Sequence, residues 1–326
     1  MPIKKVLITG GAGFIGYYLT KELVKRGVDV VIYDSFMNYI PPLESRYSAY
    51  LEYRLNDIKN DCYIVRGDIR NRGNVIRVLN ETKPEAIIHL AAIPIATVSN
   101  QFSEEAIQIN LNGTVTLLEC IRAVSSVKKF IFASSSFVYG DFKYEPADEN
   151  HETSPIDIYG GTKLSGEILT KSFGKRYDID YTIIRPSAVY GPTDANRRVS
   201  QILVENAFLG KPLIMHNNGN DRVDFTYVED TAQGFALAVL NDDCRHKTFN
   251  ITCGKGRSIR EFIDILRNYF PDLTVKELPA DERRPDRGGL DITKAENELG
   301  YQPANNLEKG IAKYVEFIKT TNVLKK

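Results

Sequence analysis

Six short apolar runs punctuate the first part of the chain, spaced widely enough for a helix between most neighbours: Val6-Leu7-Ile8, Val30-Val31-Ile32, Tyr63-Ile64-Val65, Ala86-Ile87-Ile88, Phe130-Ile131-Phe132 and Tyr181-Thr182-Ile183-Ile184. None alternates apolar with polar residues. A strand that is apolar at nearly every position is covered on both faces, the pattern of a parallel sheet between two layers of helices. The segments between agree: Phe14 to Arg26 closes on Gly27 as a helix C-cap, and Ile107 to Val124 carries apolar residues at helical spacing. Residues 1–190 are therefore predicted to form an α/β, doubly wound parallel sheet. Beyond Tyr190-Gly191-Pro192 the units shorten, with strand-like 213–215, 249–251 and 275–277 and helices near 199–209, 258–269 and 306–320. Residues 191–326 read as a smaller α+β domain, from which a segment near 222–245 could return to the first sheet.

Composition narrows the partners. The 326 residues carry 42 Lys+Arg against 42 Asp+Glu, a formal charge of zero, which argues against a nucleic acid or a charged membrane surface as the binding partner. No stretch reaches the ~18 apolar residues of a membrane span. Cys62, Cys120, Cys244 and Cys253 are scattered without a C-x-x-C pair, as expected of free thiols in a reducing compartment. The start, MPIKKVLITGG, lacks the apolar core of a secretion signal, so the chain is expected to be cytoplasmic.

Between the first strand and the first helix lies Thr-Gly-Gly-Ala-Gly-Phe-Ile-Gly, with glycines at 10, 13 and 16. Backbone can approach a diphosphate only where Cβ is absent, and a helix N-terminus presents free N–H groups and a positive dipole end. Eighteen residues on, Asp34 stands at the tip of the second strand, where it can accept from an adenosine ribose 2′-OH and would repel a 2′-phosphate. The expected cofactor is NAD, held by a Rossmann unit.

The G-x-x-G-x-x-G spacing resembles the short-chain dehydrogenase/reductase superfamily, whose catalytic pair is Tyr-x-x-x-Lys. Three such pairs occur. Tyr17/Lys21 lies on the helix that opens at Gly16. Tyr139/Lys143 is interrupted by Gly140-Asp141, which favours a turn. Tyr159/Lys163 follows Pro155 and opens a run to Tyr177 with Leu164, Ile168, Leu169 and Phe173 as an apolar stripe, so the two side chains share a helix face. A nearby ammonium favours the phenolate, which lets Tyr159 take a proton from a substrate hydroxyl. Lys163 would also hold the cofactor's ribose. Ala-Ser-Ser-Ser-Phe-Val-Tyr-Gly (133–140) ends the fifth strand, and its hydroxyls can hold the substrate oxygen. Ser135 is the choice by register, with Ser134 and Ser136 behind it. His89, at a buried strand end, reads as a core residue.

Together with Gly67-Asp68-Ile69-Arg70, His89-Leu90-Ala91-Ala92, Asn110-Leu-Asn-Gly-Thr114, Arg185-Pro186 to Pro192, Arg222 to Asp230 and Arg287 to Glu296, these motifs resemble the extended branch of that superfamily. More narrowly the chain is similar to the NAD-dependent nucleotide-sugar epimerase/dehydratase family. The resemblance implies that Asp68 and Ile69 flank the adenine and that Leu90, Ala91 and Ala92 line the diphosphate and ribose. It also assigns Phe14, Ile15, Ser35, Asn38, Asn110, Ala133, Pro186 and Val189 to the cofactor. Ser135, Ser136 and Tyr159 would face a nucleotide-diphosphate sugar whose diphosphate Arg222 and Arg287 hold, with no metal, in a homodimer built through the Tyr159 helix and its neighbour.

Departures from the family pattern bear on the reaction. The 4,6-dehydratases carry Asp-Glu where this chain has Ser136 and Phe137, so dehydration is disfavoured. The galactose-type epimerases have Asn where register puts Ala188, and 93–97 departs from their sequence, which argues against a standard UDP-glucose substrate. The expected activity is epimerisation of a nucleotide sugar at C4 through a 4-keto sugar. A 4-dehydrogenase, a 4-keto reductase and a C3/C5 epimerase are the alternatives. A non-catalytic NAD-sensing or RNA-binding protein on the same fold would be expected to lack the Tyr/Lys pair and, for RNA, to carry a basic face.

Overall fold

The computed structural model describes residues 3–39, 46–280, 285–321 and 323–324. Eleven strands occur among them: β1 Lys5–Thr9, β2 Asp29–Asp34, β3 Cys62–Arg66, β4 Ala86–His89, β5 Lys129–Ala133, β6 Asp180–Pro186, β7 Leu213–His216, β8 Arg222–Asp224, β9 Lys247–Ile251, β10 Gly256–Ser258 and β11 Val275–Leu278. The helices are α1 Phe14–Lys25, α2 Tyr47–Ile58, α3 Arg72–Thr82, α4 Ala96–Gln101, α5 Ser103–Ala106, α6 Gly113–Arg122, α7 Ile158–Tyr177, α8 Val199–Phe208, α9 Val228–Leu240, α10 Ile259–Arg267, α11 Thr293–Leu299 and α12 Leu307–Thr321. A π-helical turn, Ile107–Asn112, joins α5 to α6.

Seven strands form one all-parallel sheet in the order β3-β2-β1-β4-β5-β6-β9. Its two faces explain the unbroken apolar runs. Ile8, Ile32, Ile88, Ile131 and Ile184 point to one side, where α1, α9 and α11 pack. Leu7, Val31, Ile87, Phe130 and Ile183 point to the other, against α3, α6 and α7. The order reverses between β1 and β4, so the carboxyl ends of these strands open a crevice where doubly wound sheets bind ligands.

One strand falls outside the sequence expectation. Lys247–Ile251, read as part of the smaller region, is the seventh strand of the main sheet, in parallel register with β6 from Thr182↔Lys247 to Pro186↔Ile251. Helix α9, which precedes it, lies against α1. The smaller region keeps the β7–β11 and β8–β10 pairs, with α8, α10 and α12 around a core of Tyr190, Leu203, Phe225, Phe262, Ile311 and Tyr314. Cys62, Cys120, Cys244 and Cys253 are free thiols. No described helix is long and apolar enough to cross a membrane.

Helix α7 is fastened to the sheet by a buried ionic network. Glu167 accepts from Arg185 on β6 through Nε at 2.8 Å and Nη2 at 2.7 Å, and also from the hydroxyl of Ser134. Arg185 Nη1 donates to the Tyr139 hydroxyl at 3.0 Å, which donates to Asn250 of β9 at 2.7 Å. Gly166 lets the helix approach closely, because a Cβ there would stand 2.4 Å from the Phe132 ring. Removing one partner of a buried pair strands the other charge, so Glu167→Ala is expected to cost about 3–5 kcal/mol. Glu167→Leu combined with Arg185→Met should cost markedly less, and denaturant midpoints of the three proteins check both statements.

Candidate active site

A cavity of about 1180 Å³ runs along the carboxyl edge of the sheet from the glycine loop to Arg222 and Arg287. At its first end, β1 turns into α1 through three glycines that leave no room for side chains. Gly10 has φ +72° and a Cβ on it would meet Ala91 N at 2.7 Å. A Cβ on Gly16 would meet the Gly10 and Gly11 carbonyls at 2.6 Å. The loop thus lies flat on the end of β4, and Gly13, Phe14, Ile15 and Gly16 at the start of α1 line the cavity.

Asp34, at the tip of β2, also lines the cavity, as do Ser35 and Asn38. Its carboxylate accepts from Ala12 N–H at 3.0 Å and Phe36 N–H at 2.7 Å, one bond to each oxygen. Burial pushes its pKa up, while those two amides and the charge of Arg54 act in the opposite sense. Each oxygen keeps acceptor capacity for a ribose hydroxyl. A phosphate would face the carboxylate directly. The cradle and the acid therefore fit NAD. Asp68 and Ile69 lie beside this end, with Arg70 bound to the Asp68 carboxylate and holding its pKa down.

Leu90, Ala91 and Ala92 form the wall beyond β4. Buried His89 holds them from beneath. Thr114 Oγ1 donates to the Asn110 carbonyl at 2.7 Å, so it accepts from His89 Nε2–H at 3.0 Å. His89 Nδ1 then accepts from Thr9 Oγ1 at 2.7 Å, and that oxygen accepts from Ala91 N–H at 3.3 Å. Burial lowers the His89 pKa to about 3, with the charge of Lys163 adding to it, so the ring is neutral. Asn110 does not line the cavity. It is buried in the π-helical turn, where its amide accepts from Ile93 N–H at 2.8 Å and donates to Ile93 O and Thr162 Oγ1. It ties the wall after β4 to α7, one residue before Lys163.

Of the three Tyr-x-x-x-Lys pairs, only Tyr159/Lys163 lines the cavity. Tyr17 and Lys21 are bound together on Asp57, at 2.6 and 2.7 Å. Tyr139 belongs to the Arg185 network. Asp157 caps α7 by accepting from Gly160 N–H at 2.7 Å, which aims the first turn into the cavity. Lys163 is buried, donates to Ala133 O at 2.8 Å and sits 5.9 Å from the Tyr159 ring centroid. Burial alone lowers its pKa from 10.5 to about 8. Tyr159 is pushed up by burial, while Arg198 and the Ser135 hydroxyl pull it back down.

The three serines separate by partner. Ser134 is bound to Glu167 and Ser136 donates to Ser187 Oγ at 3.1 Å, whereas Ser135 Oγ accepts from Phe137 N–H at 3.2 Å and reaches Tyr159. Ala133, Pro186 and Val189 complete this part of the wall. At the far end Arg287 stacks 4.1 Å over the Phe137 ring, which itself meets Tyr159 edge-on at 5.5 Å. Arg222 donates to Glu145 Oε2 at 2.8 Å and to Gly256 O at 3.0 Å. A diphosphate there would share the fork with Glu145.

Arg54 and Arg198, both on the cavity wall, had no sequence argument. Arg54 falls on the buried stripe Tyr50-Arg54-Ile58 of α2, and a charge at that spacing was the available signal. Arg198 follows the turn after β6 and is bound to buried Asp194 at 3.1 Å.

The model of the NAD dependent epimerase/dehydratase family matches residues 6–252. The chain belongs to that family. Its cofactor is NAD, and it is a sugar-nucleotide enzyme of the epimerase or dehydratase type. Relatives differ in reaction at similar likeness. A protein of Methanocaldococcus jannaschii, provisionally assigned as a UDP-glucose 4-epimerase, is 32% identical over 97% of this chain and 99% of its own. The dTDP-glucose 4,6-dehydratase of Salmonella typhimurium is 29% identical over 96% and 92%. The crystal structure of UDP-glucuronic acid 4-epimerase from Bacillus cereus, with UDP-glucuronic acid and NAD, superposes with a TM-score of 0.88 at 29% identity, covering 97% of this chain and 99% of that one.

Two outcomes follow from this geometry. Gly10→Ala combines a positive φ with a backbone clash and should lower the NAD carried through purification, measured by releasing it with acid. Holding the Lys163 ammonium at about 8 disfavours the fold below that pH, and less so between 8 and 10.5, where the unfolded chain still binds the proton the folded chain has released. Cofactor-free Lys163→Met should therefore be more stable at pH 7 by up to about 3 kcal/mol, with the gap narrowing as pH rises through that window. A gap that widens with pH would contradict the assignment.

Proposed function

We propose that the enzyme interconverts C4 epimers of a nucleotide-diphosphate sugar. The observation that carries this reading is one continuous cavity in which a dinucleotide cradle leads directly to a buried Tyr159/Lys163/Ser135 cluster walled by Phe137. Phe137 and Ser136 occupy the places where a dehydratase would need carboxylates. Ser136 is spent on Ser187, so neither side chain can deprotonate C5.

The residues divide the work as follows. Ser135 holds the 4-oxygen and Tyr159 takes its proton, assisted by the positive charges of Lys163 and Arg198. NAD, when bound, supplies the acceptor and donor of hydride at C4. After the keto sugar turns over, Tyr159 returns the proton to the 4-oxygen. Arg222 and Arg287 hold the diphosphate, which leaves the sugar free to turn between them and Tyr159. Lys163, besides acting on Tyr159, binds the cofactor's ribose. A homodimer through α7 accords with the exposure of Ile168 and Tyr177 on that helix.

Incubating the protein, with its as-purified cofactor, with UDP-, GDP-, CDP- and dTDP-sugars tests the reading. The expected result is a C4 epimer without net reduction of NAD. Tyr159→Phe should lose about 10²- to 10⁴-fold in rate while keeping its NAD. Stoichiometric consumption of NAD, or a 4-keto-6-deoxy product, would overturn it.

A further inference from the structure

Arg54 is a charged residue placed where a helix should present an apolar one. It lies on the stripe of α2 that faces the fold, and 1% of it is exposed. Burying a guanidinium costs several kcal/mol unless its partners are good. Its guanidinium donates to two backbone carbonyls, each on a loop that lines the cavity. Nε donates to Ala12 O of the glycine loop at 3.0 Å, and Nη1 to Thr193 O, beyond β6, at 2.6 Å. Asp34 and Asp194 supply negative charge near it.

The segment beyond β6 is under backbone strain. Ala188, Thr193 and Arg197 all have positive φ, at +35°, +69° and +57°, although none is glycine. Such residues persist only where the surroundings over-determine them, and they cluster at functional sites. Here the restraints come from the cofactor side. Besides Arg54 on Thr193 O, the Tyr18 hydroxyl of α1 donates to Pro192 O at 3.1 Å. The next residue, buried Asp194, takes both Arg198 Nη1 bonds at 3.1 Å and the Asn196 N–H. Arg198 lines the cavity with Tyr159. A continuous set of contacts thus runs from Asp34 through Ala12, Arg54 and Thr193-Asp194 to Arg198.

We propose that Arg54 is a positioning residue that couples the cofactor's glycine loop to Arg198 at the catalytic tyrosine. The glycine loop cannot shift without moving the Ala12 carbonyl. Arg54 transmits that shift to a segment held in one strained arrangement, and Arg198 rides on it. The consequence for Tyr159 rests on the reading of that residue as the base; the link between Arg54 and NAD retention does not. The groups facing Tyr159 are Ser135 beyond β5, Asp157 at the cap of its own helix, Lys163 one turn on and Arg198 beyond β6.

The test uses the full chain as purified, with Arg54→Lys and Arg54→Met, Arg198→Gln, and the double variants. One readout is the NAD kept after extensive dialysis. The other is the ultraviolet titration of Tyr159, taken as the difference between each protein and its Tyr159→Phe counterpart. Arg54→Met should release NAD about tenfold faster, an ordinary size for coupling between sites. Its Tyr159 titration should move up by about one pH unit, a tenfold change in proton affinity. Arg198→Gln should raise that titration in the parent and change it little in the Arg54→Met background. Arg54→Lys keeps the charge but loses the two-carbonyl fork, and should show both effects in smaller measure even if Arg54→Met does not fold. Variants that fold, keep their NAD and titrate like the parent overturn the proposal. Loss of NAD with an unmoved Tyr159 titration and a full Arg198→Gln effect also overturns the coupling. If both readouts behave as expected while no sugar is epimerised, the coupling stands and the proposed reaction fails.

Discussion

The salt bridge between Glu167 and Arg185 decides where the helix that carries Tyr159 and Lys163 sits. It is buried on both sides, and its bidentate geometry with the Ser134 and Tyr139 hydroxyls satisfies the charges that burial would otherwise strand. Its residues come from α7, β6 and the segment after β5, with Asn250 of β9 at the end of the chain of bonds. Lys163 stands one turn before Glu167 and Tyr159 one turn before that. Fixing Glu167 therefore fixes the height of both above the sheet. Ser134, bound to the same carboxylate, lies between Ala133, whose carbonyl takes the Lys163 ammonium, and Ser135. One ion pair places Tyr159, Lys163 and Ser135, the three residues proposed for proton transfer.

The glycine loop imposes the second constraint, and it acts through what is missing. Gly10 and Gly16 allow backbone to lie against backbone, which leaves the first N–H groups of α1 facing the cavity beside the end of β4. The buried Thr9-His89-Thr114 relay fixes that end from below without introducing a charge. Two loops from opposite halves of the sheet thus meet in fixed relation at the reversal of strand order.

The apolar runs were legible because they record a physical fact that does not depend on distant sequence: each strand is covered on both faces. Strand β9 was misplaced because its membership in the sheet is not a local property. The chain leaves the sheet after Pro186, builds β7 and β8, and returns through α9, and nothing within Lys-Thr-Phe-Asn-Ile states which sheet it joins. The same distinction governs the site. Tyr159 and Lys163 could be read as a pair because their spacing on one helix face is local. The choice among Ser134, Ser135 and Ser136 became physical only when Glu167 and Ser187 were seen to engage two of them. Arg54 and Arg198 owe their roles to contacts across 139 residues and across a strained turn, and no periodicity reports those.

A chain with zero net charge sets its cations along one crevice among carboxylates, Asp34, Asp68, Asp157, Asp221 and Asp286. Lys163 and Arg54 are buried there, Arg198 is half-buried, and Arg222 and Arg287 stand at the far end. The pKa of Lys163 lies below its ordinary value and burial lowers that of Arg54, so both are held in the charged form at a cost to the fold. A ligand that binds only the folded chain returns part of that cost, by an amount that grows with the ratio of its concentration to its dissociation constant. Anionic ligands do so most effectively beside Lys163, whose ammonium is held by the neutral Ala133 carbonyl. The site is therefore built at the expense of the empty fold's stability, and the buried Glu167–Arg185 pair and the carbonyls bound to Arg54 and Lys163 keep that expense from becoming disorder.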